Sequence, residues 1–155
     1  MVSVVRWMRG MTFLATGESG HAAVMDAAAA SGGDDSASSP KEMLLHAMGG
    51  CTGMDVVLIL RKMQIEPRRF EVEVRGELEE EPPRAFRSFH LDFRFEGEGL
   101  PLQSLERAVS LSQERYCSVS LTLGRARPIT WAITVNGQTL LRKEMGDPNR
   151  IVPPD

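Results

Sequence analysis

The stretch Ser39-Pro-Lys-Glu-Met-Leu-Leu-His-Ala-Met-Gly-Gly-Cys-Thr-Gly-Met-Asp-Val-Val-Leu-Ile-Leu-Arg61 decides how this chain is read. Ser39 stands where a helix cap belongs. Pro40 takes the first helical position, where its missing N–H costs nothing, and Glu42 completes a capping box three residues after the serine. The apolar residues Met43, Leu44, Leu45, Ala47, Met48 and Met54, and then Val56 to Leu60, fall on all sides of one helix. A helix of that kind sits at the centre of a molecule, covered on every side. It is expected to run to about Met63, roughly 36 Å at ~1.5 Å per residue. Pro67 confirms the stop. Gly49, Gly50 and Gly53 thin the helix around Cys51. Each glycine costs about 1 kcal/mol relative to alanine inside a helix, a cost usually offset by a partner helix, another backbone or a substrate passing close by. The run also carries His46 and Asp55 and closes at Arg61, which suits a buried helix of a soluble protein better than a membrane span.

Working outward, residues 2–8 and 11–16 are short and rich in Val, Trp, Phe and Thr around the turn Arg9-Gly10, so a β-hairpin is expected there. A third strand is expected over 21–26. Residues 27–39 are small and polar, which reads as a mobile loop. After the helix, Phe70, Val72 and Val74 alternate with charged residues. Phe89, Leu91, Phe93 and Phe95 do so too, which gives two strands apolar on one face. Pro101 opens a second helix with apolar positions Leu102, Leu105, Val109, Leu111 and Tyr116. Residues 118–123 alternate in period 2, so on pattern alone a strand is possible. Residues 129–135 form a last strand and Asn136-Gly137 a turn. The chain is then expected to comprise one domain over 1–137 and a polar, Pro-rich tail over 138–155. The order β-β-β-α-β-β-α-β is an antiparallel α+β plan. One helix apolar all round is hard to cover with one sheet, and a homodimer packing two such helices together answers that.

The bulk numbers narrow the function. Of 155 residues 42% are hydrophobic and 25% charged, with a net charge of −3. That is an ordinary soluble composition, with no electrostatic pull toward nucleic acid or anionic lipid. Arg6 and Arg9 interrupt the apolar N-terminus, so no export signal is read and a cytoplasmic location is expected. There a two-thiol pair is redox-active, metal-binding or inert rather than a structural disulfide.

The two cysteines, Cys51 and Cys117, are the residues with the most chemistry in them. Each has two readings: a small buried hydrophobe, or a reactive thiol. A helix N-terminus pointing at Cys117 would lower its pKa, and Ser118 and Ser120 stand where they would cap a short turn. Glu42 is explained by the capping box, and Glu114 and Arg115 by a solvated helix face. Asp55 lies one turn after Cys51 and opposes a thiolate there; it reads as a hydrogen-bonded, buried group. His21, His46 and His90 are widely separated, and no Cys-x-x-Cys or His-x-x-x-His spacing occurs, so neither a metal nor another cofactor is expected.

At these residues the chain resembles the OsmC/Ohr family of thiol-dependent peroxidases. The resemblance rests on Ser39 to Thr52, on Glu114-Arg-Tyr-Cys-Ser-Val-Ser120 and on Ser19-Gly-His-Ala-Ala-Val-Met-Asp26. Cys51-Thr-Gly-Met-Asp-Val-Val57 and Pro83-Arg-Ala-Phe86 place it nearest the YhfA-like subgroup. It implies an intertwined homodimer with antiparallel sheets wrapped around two central helices per subunit. It also implies a short helical turn after Cys117. By the same resemblance Cys51 is the peroxidatic cysteine, which attacks an organic hydroperoxide, and Cys117 is the resolving cysteine. A small dithiol or other thiol is then the reductant. Where the family carries an activating Arg and Glu, this chain has Glu18 and Lys41. The remaining candidates to support the thiolate are Lys41, Glu42, Arg84, Glu114, Arg115 and Arg6. Two other readings fit the same scaffold: a non-catalytic dimeric binder of an apolar ligand, and a thiol redox sensor.

Overall fold

The computed structural model describes residues 1–146. They divide into two compact units, Met1–His46 and a second beginning at Ala47.

The first unit is an antiparallel sheet of β1 (Ser3–Arg9), β2 (Thr12–Gly17) and β3 (Ala22–Met25), in that order. Trp7 pairs with Phe13 across the hairpin, and the Trp7 indole N–H donates to the Gly10 carbonyl at 2.9 Å. Gly10, at φ +48°, supplies the left-handed turn residue. Residues 27–36, expected to be loose, are organised by one buried carboxylate. Asp26 accepts the N–H groups of Ala27 (2.8 Å), Asp34 (3.2 Å) and Ser36 (3.0 Å) and the Ser36 hydroxyl (2.7 Å). These donors, the Ser36 hydroxyl first, hold its carboxyl down at about 2 from an ordinary 3.8.

The long helix α1 (Pro40–Lys62) forms where expected. The Ser39 N–H donates to Glu42 Oε2 at 2.7 Å and the Glu42 N–H to Ser39 Oγ at 3.3 Å, so the capping box is made in both directions. At the other end Ile65 N–H reaches the Leu60 carbonyl and Gln64 N–H the Arg61 carbonyl, both at 3.0 Å. Gln64 takes the left-handed conformation that glycine usually fills in this stop. By length and composition alone α1 would pass for a membrane span. Its row Met48, Thr52, Val56 and Leu60 is buried in the protein. Coverage on every side is not what one chain provides, because Met54 is 75% and Leu58 55% exposed.

The second unit adds β4 (Arg69–Leu78), β5 (Phe86–Glu96), α2 (Leu102–Leu111), a π-helical turn (Ser112–Tyr116), α3 (Ser118–Gly124), β6 (Ile129–Val135) and β7 (Gln138–Glu144). The sheet order is β4-β5-β6-β7. Phe89, Leu91, Phe93 and Phe95 all point into the core, as their alternation demands. There Phe93 meets Trp131 edge-on at 6.4 Å, and Phe95 stacks on Phe70 at 4.7 Å. Gly49 and Gly53 let α1 lie against β4: a Cβ at Gly49 would sit 3.0 Å from Val74, and one at Gly53 3.7 Å from Val72.

Three expectations change. β5 and β6 run parallel, while every other pair is antiparallel, because α2, the π turn and α3 carry the chain back over the sheet between them. Residues 118–123 form the helical turn that the family resemblance implies, not the strand that the alternation alone allows. The supposed tail from Gln138 forms β7 through Glu144, folded back by Asn136 and Gly137 at φ +48° and +82°. An Asn-Gly pair with both residues left-handed makes the tight turn that matches the twist of a hairpin. The last nine residues of the expected tail lie outside the described residues.

Asp26 links the loop to acidity. Its folded pKa is depressed, so its contribution to stability is complete above about 4 and is lost as pH falls toward 2. The gap in urea midpoint between wild type and Asp26→Asn should therefore be widest at pH 5 and close by pH 2. A gap that stays constant over that interval would mean the carboxylate does not hold this loop.

Candidate functional site

Cys51 lies at the middle of α1 and is half-buried; Cys117 lies between the π turn and α3 and is fully buried. The structure brings them together. The two sulfurs and a carboxylate oxygen of Asp55 all lie within 4.8 Å of one another, and both thiols are free. A disulfide needs ~2.05 Å between sulfurs, so closure asks for an approach of at most about 3 Å.

The π turn makes this geometry. A regular helix continued from α2 would keep Tyr116 on the apolar stripe that begins at Leu105. The wider turn keeps Ser112 and Gln113 on the inner face but leaves Tyr116 55% exposed and buries Cys117 in its place. Ser112 and Gln113 meet Thr52, the residue after Cys51. Gln113 Nε2 donates to Thr52 Oγ1 at 2.6 Å, Thr52 and Ser112 share a hydrogen bond of 2.7 Å, and Ser112 Oγ donates to Asp55 Oδ2 at 3.1 Å. One assignment of protons satisfies all three contacts: Gln113 to Thr52, Thr52 to Ser112, Ser112 to Asp55. The chain runs in one direction and ends on a carboxylate. None of Thr52, Ser112 and Gln113 stood out in sequence as a site residue. The available signal was polar residues at 112 and 113, where the stripe through Leu105, Ala108 and Val109 calls for apolar ones.

Cys117 caps α3, its sulfur accepting the Ser120 N–H at 3.4 Å. A helix terminus does point at it, as the sequence allowed. Burial outweighs that. Desolvation, offset in part by the Ser120 contacts and reinforced by neighbouring Cys51, pushes the thiol up to about 11. Cys117 therefore keeps its proton at neutral pH.

The other candidates are placed as follows. Glu114, exposed, and Arg115, half-buried, precede Cys117 on the π turn. Arg84 sits at φ +53° in the turn between β4 and β5. Lys41 and Glu42 occupy the first turn of α1, Glu42 held by Ser39, and Glu18 lies 3.7 Å from the N-terminal amine. Arg6 is exposed on β1. His46 lies beside Ser38, and His90 on β5 pairs with Thr130 on β6. Among the described residues the Cys51, Asp55 and Cys117 trio is the one group of three possible metal ligands. It is one short of a closed zinc set.

A mixed sheet packed on a long helix, with two free thiols at the crossing of that helix and the next, defines a protein built around a thiol pair. The profile of the OsmC-like protein family matches residues 33–132, and the chain belongs to that family. It is 42% identical to Protein YhfA of Escherichia coli (strain K12) over 135 residues, covering 87% of this chain and 98% of that one. A hypothetical protein from Aquifex aeolicus VF5 has a similar structure, with a TM-score of 0.71, 26% identity, and coverage of 87% of this chain and 96% of that one. An organic hydroperoxide resistance protein OsmC from Legionella pneumophila shares the fold at a TM-score of 0.61 and 15% identity, over 87% of this chain and 96% of that one.

Thr52→Val would leave Ser112 and Gln113 buried without their shared partner. The expected loss of stability is about 1–3 kcal/mol, read from urea unfolding. An unchanged midpoint would show that the hydrogen-bond chain contributes nothing to holding the crossing.

Proposed function

We propose that this chain is a thiol peroxidase of organic hydroperoxides, with Cys51 as the attacking thiol and Cys117 as the resolving one. The observation that supports this most is the asymmetry of the pair: a half-buried cysteine whose sulfur lies within 4.8 Å of that of a fully buried one. The outer thiolate attacks the O–O bond of the peroxide. It becomes a sulfenic acid as the alcohol leaves with a proton. The inner thiol then displaces the sulfenic hydroxyl, giving a disulfide and water, and a dithiol reductant returns both thiols. No metal or organic cofactor enters this sequence. Family kinship with hydroperoxide resistance proteins supports the choice of oxidant. Two thiols kept free for turnover imply a reducing compartment, the cytoplasm.

Cys51→Ser should abolish consumption of cumene hydroperoxide with a dithiol donor. Cys117→Ser should retain one turnover and then accumulate sulfinic acid at Cys51, read by mass spectrometry. If wild type consumes neither cumene hydroperoxide nor hydrogen peroxide with any dithiol, the peroxidase reading is wrong.

We further infer that the protein works as a homodimer joined through α1. Ala47, Gly50, Met54 and Leu58 follow one another at helical spacing on its exposed face, and a Cβ at Gly50 would meet nothing within 4 Å. A second helix can come close there, which would complete the cover that one chain leaves unfinished. Light scattering should show a dimer for wild type and a monomer for Met54→Glu combined with Leu58→Glu. A monodisperse wild-type monomer would rule the dimer out.

A further inference from the structure

The inner thiol poses a chemical difficulty that the pair of cysteines does not solve. With a pKa near 11, Cys117 is ionised in only about one molecule in 10,000 at pH 7. Attack on an oxidised Cys51 needs the thiolate. Something must take the proton as the S–S bond forms.

Asp55 is built into that position. It follows Cys51 by one turn of α1, and its carboxylate lies within 4.8 Å of both sulfurs, a separation that one bridging water spans. Its Oδ2 is fixed by the Ser112 hydroxyl, the last donor of the chain from Gln113 through Thr52. Ser112 also accepts the Cys117 N–H at its carbonyl, at 2.8 Å. One residue thus positions both the carboxylate and the backbone that carries the inner sulfur. A carboxylate this close is placed to take a thiol proton during attack.

We propose that Asp55 is the proton acceptor for Cys117 when the disulfide forms. The proposal rests on the resolving role given to Cys117 above. In the peroxide cycle the Cys117 S–H proton passes to Asp55 as its sulfur bonds to that of Cys51. The sulfenic S–O bond breaks, and the departing hydroxide takes the proton from Asp55 and leaves as water. The Cys117 sulfur is oxidised, the sulfenic sulfur is reduced, and Asp55 is returned unchanged.

The step can be isolated from peroxide. An aromatic disulfide such as 5,5′-dithiobis(2-nitrobenzoate) first caps the accessible Cys51 and releases one thiolate. Attack by Cys117 then releases the second and leaves the Cys51–Cys117 disulfide. Asp55→Asn keeps an acceptor for Ser112. It should leave the first phase unchanged or faster and slow the second about 100-fold, within the range general bases supply. The slowed phase should rise tenfold per pH unit between pH 7 and 9, as for a thiol deprotonated by solvent base, and should recover with added formate. Wild type should be nearly flat over that interval. Among the described residues, the titratable groups placed beside Cys117 are Cys51 and Asp55 from α1, and Glu114 and Arg115 precede it on its own π turn.

An Asp55→Asn second phase at the wild-type rate, or one indifferent to formate, overturns the proposal. Should the variant not fold, the wild-type profile decides alone: a tenfold rise per pH unit overturns it too, as does the absence of a second phase. An Asp55-dependent second phase in a protein that consumes no peroxide would sink the peroxidase reading and leave this one standing.

Discussion

The hydrogen bond between Thr52 and Ser112 is the contact on which the site depends. It joins the middle of α1 to the π turn after α2, one residue after Cys51 and five before Cys117. Both side chains are fully buried, so neither has water as an alternative partner. Apolar packing alone would let two helices slide past one another at small cost. A buried polar contact admits one register, and that register puts the two sulfurs side by side.

Around this contact the site sorts its two thiols by how deeply each is buried. Cys51 lies on a helix whose glycines bring β4 close on one side and leave the other side open. Cys117 is sealed beneath the π turn. Its capping contact with Ser120 is too weak to offset desolvation, so the buried sulfur stays a thiol while the outer one meets whatever enters. Two identical side chains acquire different tasks because the fold exposes them differently.

Much of this could be read in the chain, and the rest fails for identifiable reasons. Ser39, Pro40 and Glu42 announced the start of α1 because capping is local chemistry, complete within four residues. The alternation of β5 was equally direct. The helix after Cys117 was harder. Ser118 to Leu123 alternates like a strand, whereas in the fold Cys117 caps a helix there with Ser120 buried. The π turn leaves no recognisable pattern in the sequence, and the contacts of Ser112 and Gln113 with Thr52 are tertiary ones. Asp55 was legible as a hydrogen-bonded group beside Cys51, but its partner lay 57 residues away and needed the fold to find it. Asn136-Gly137 reads as a turn, but the strand β7 that follows it is not legible, because its residues carry little apolar signal of their own.

The one-way order of the hydrogen-bond chain bears on how this protein changes over time. Each member supplies what the next requires: an amide donor, a hydroxyl that both accepts and donates, a second such hydroxyl, and a carboxylate to end on. A neutral apolar residue at any link strands its neighbours in the core. Gln113, Thr52, Ser112 and Asp55 therefore constrain one another's replacement. Lineages should keep all four or replace them together, so that drift at these four positions is correlated although they are scattered over 62 residues of sequence.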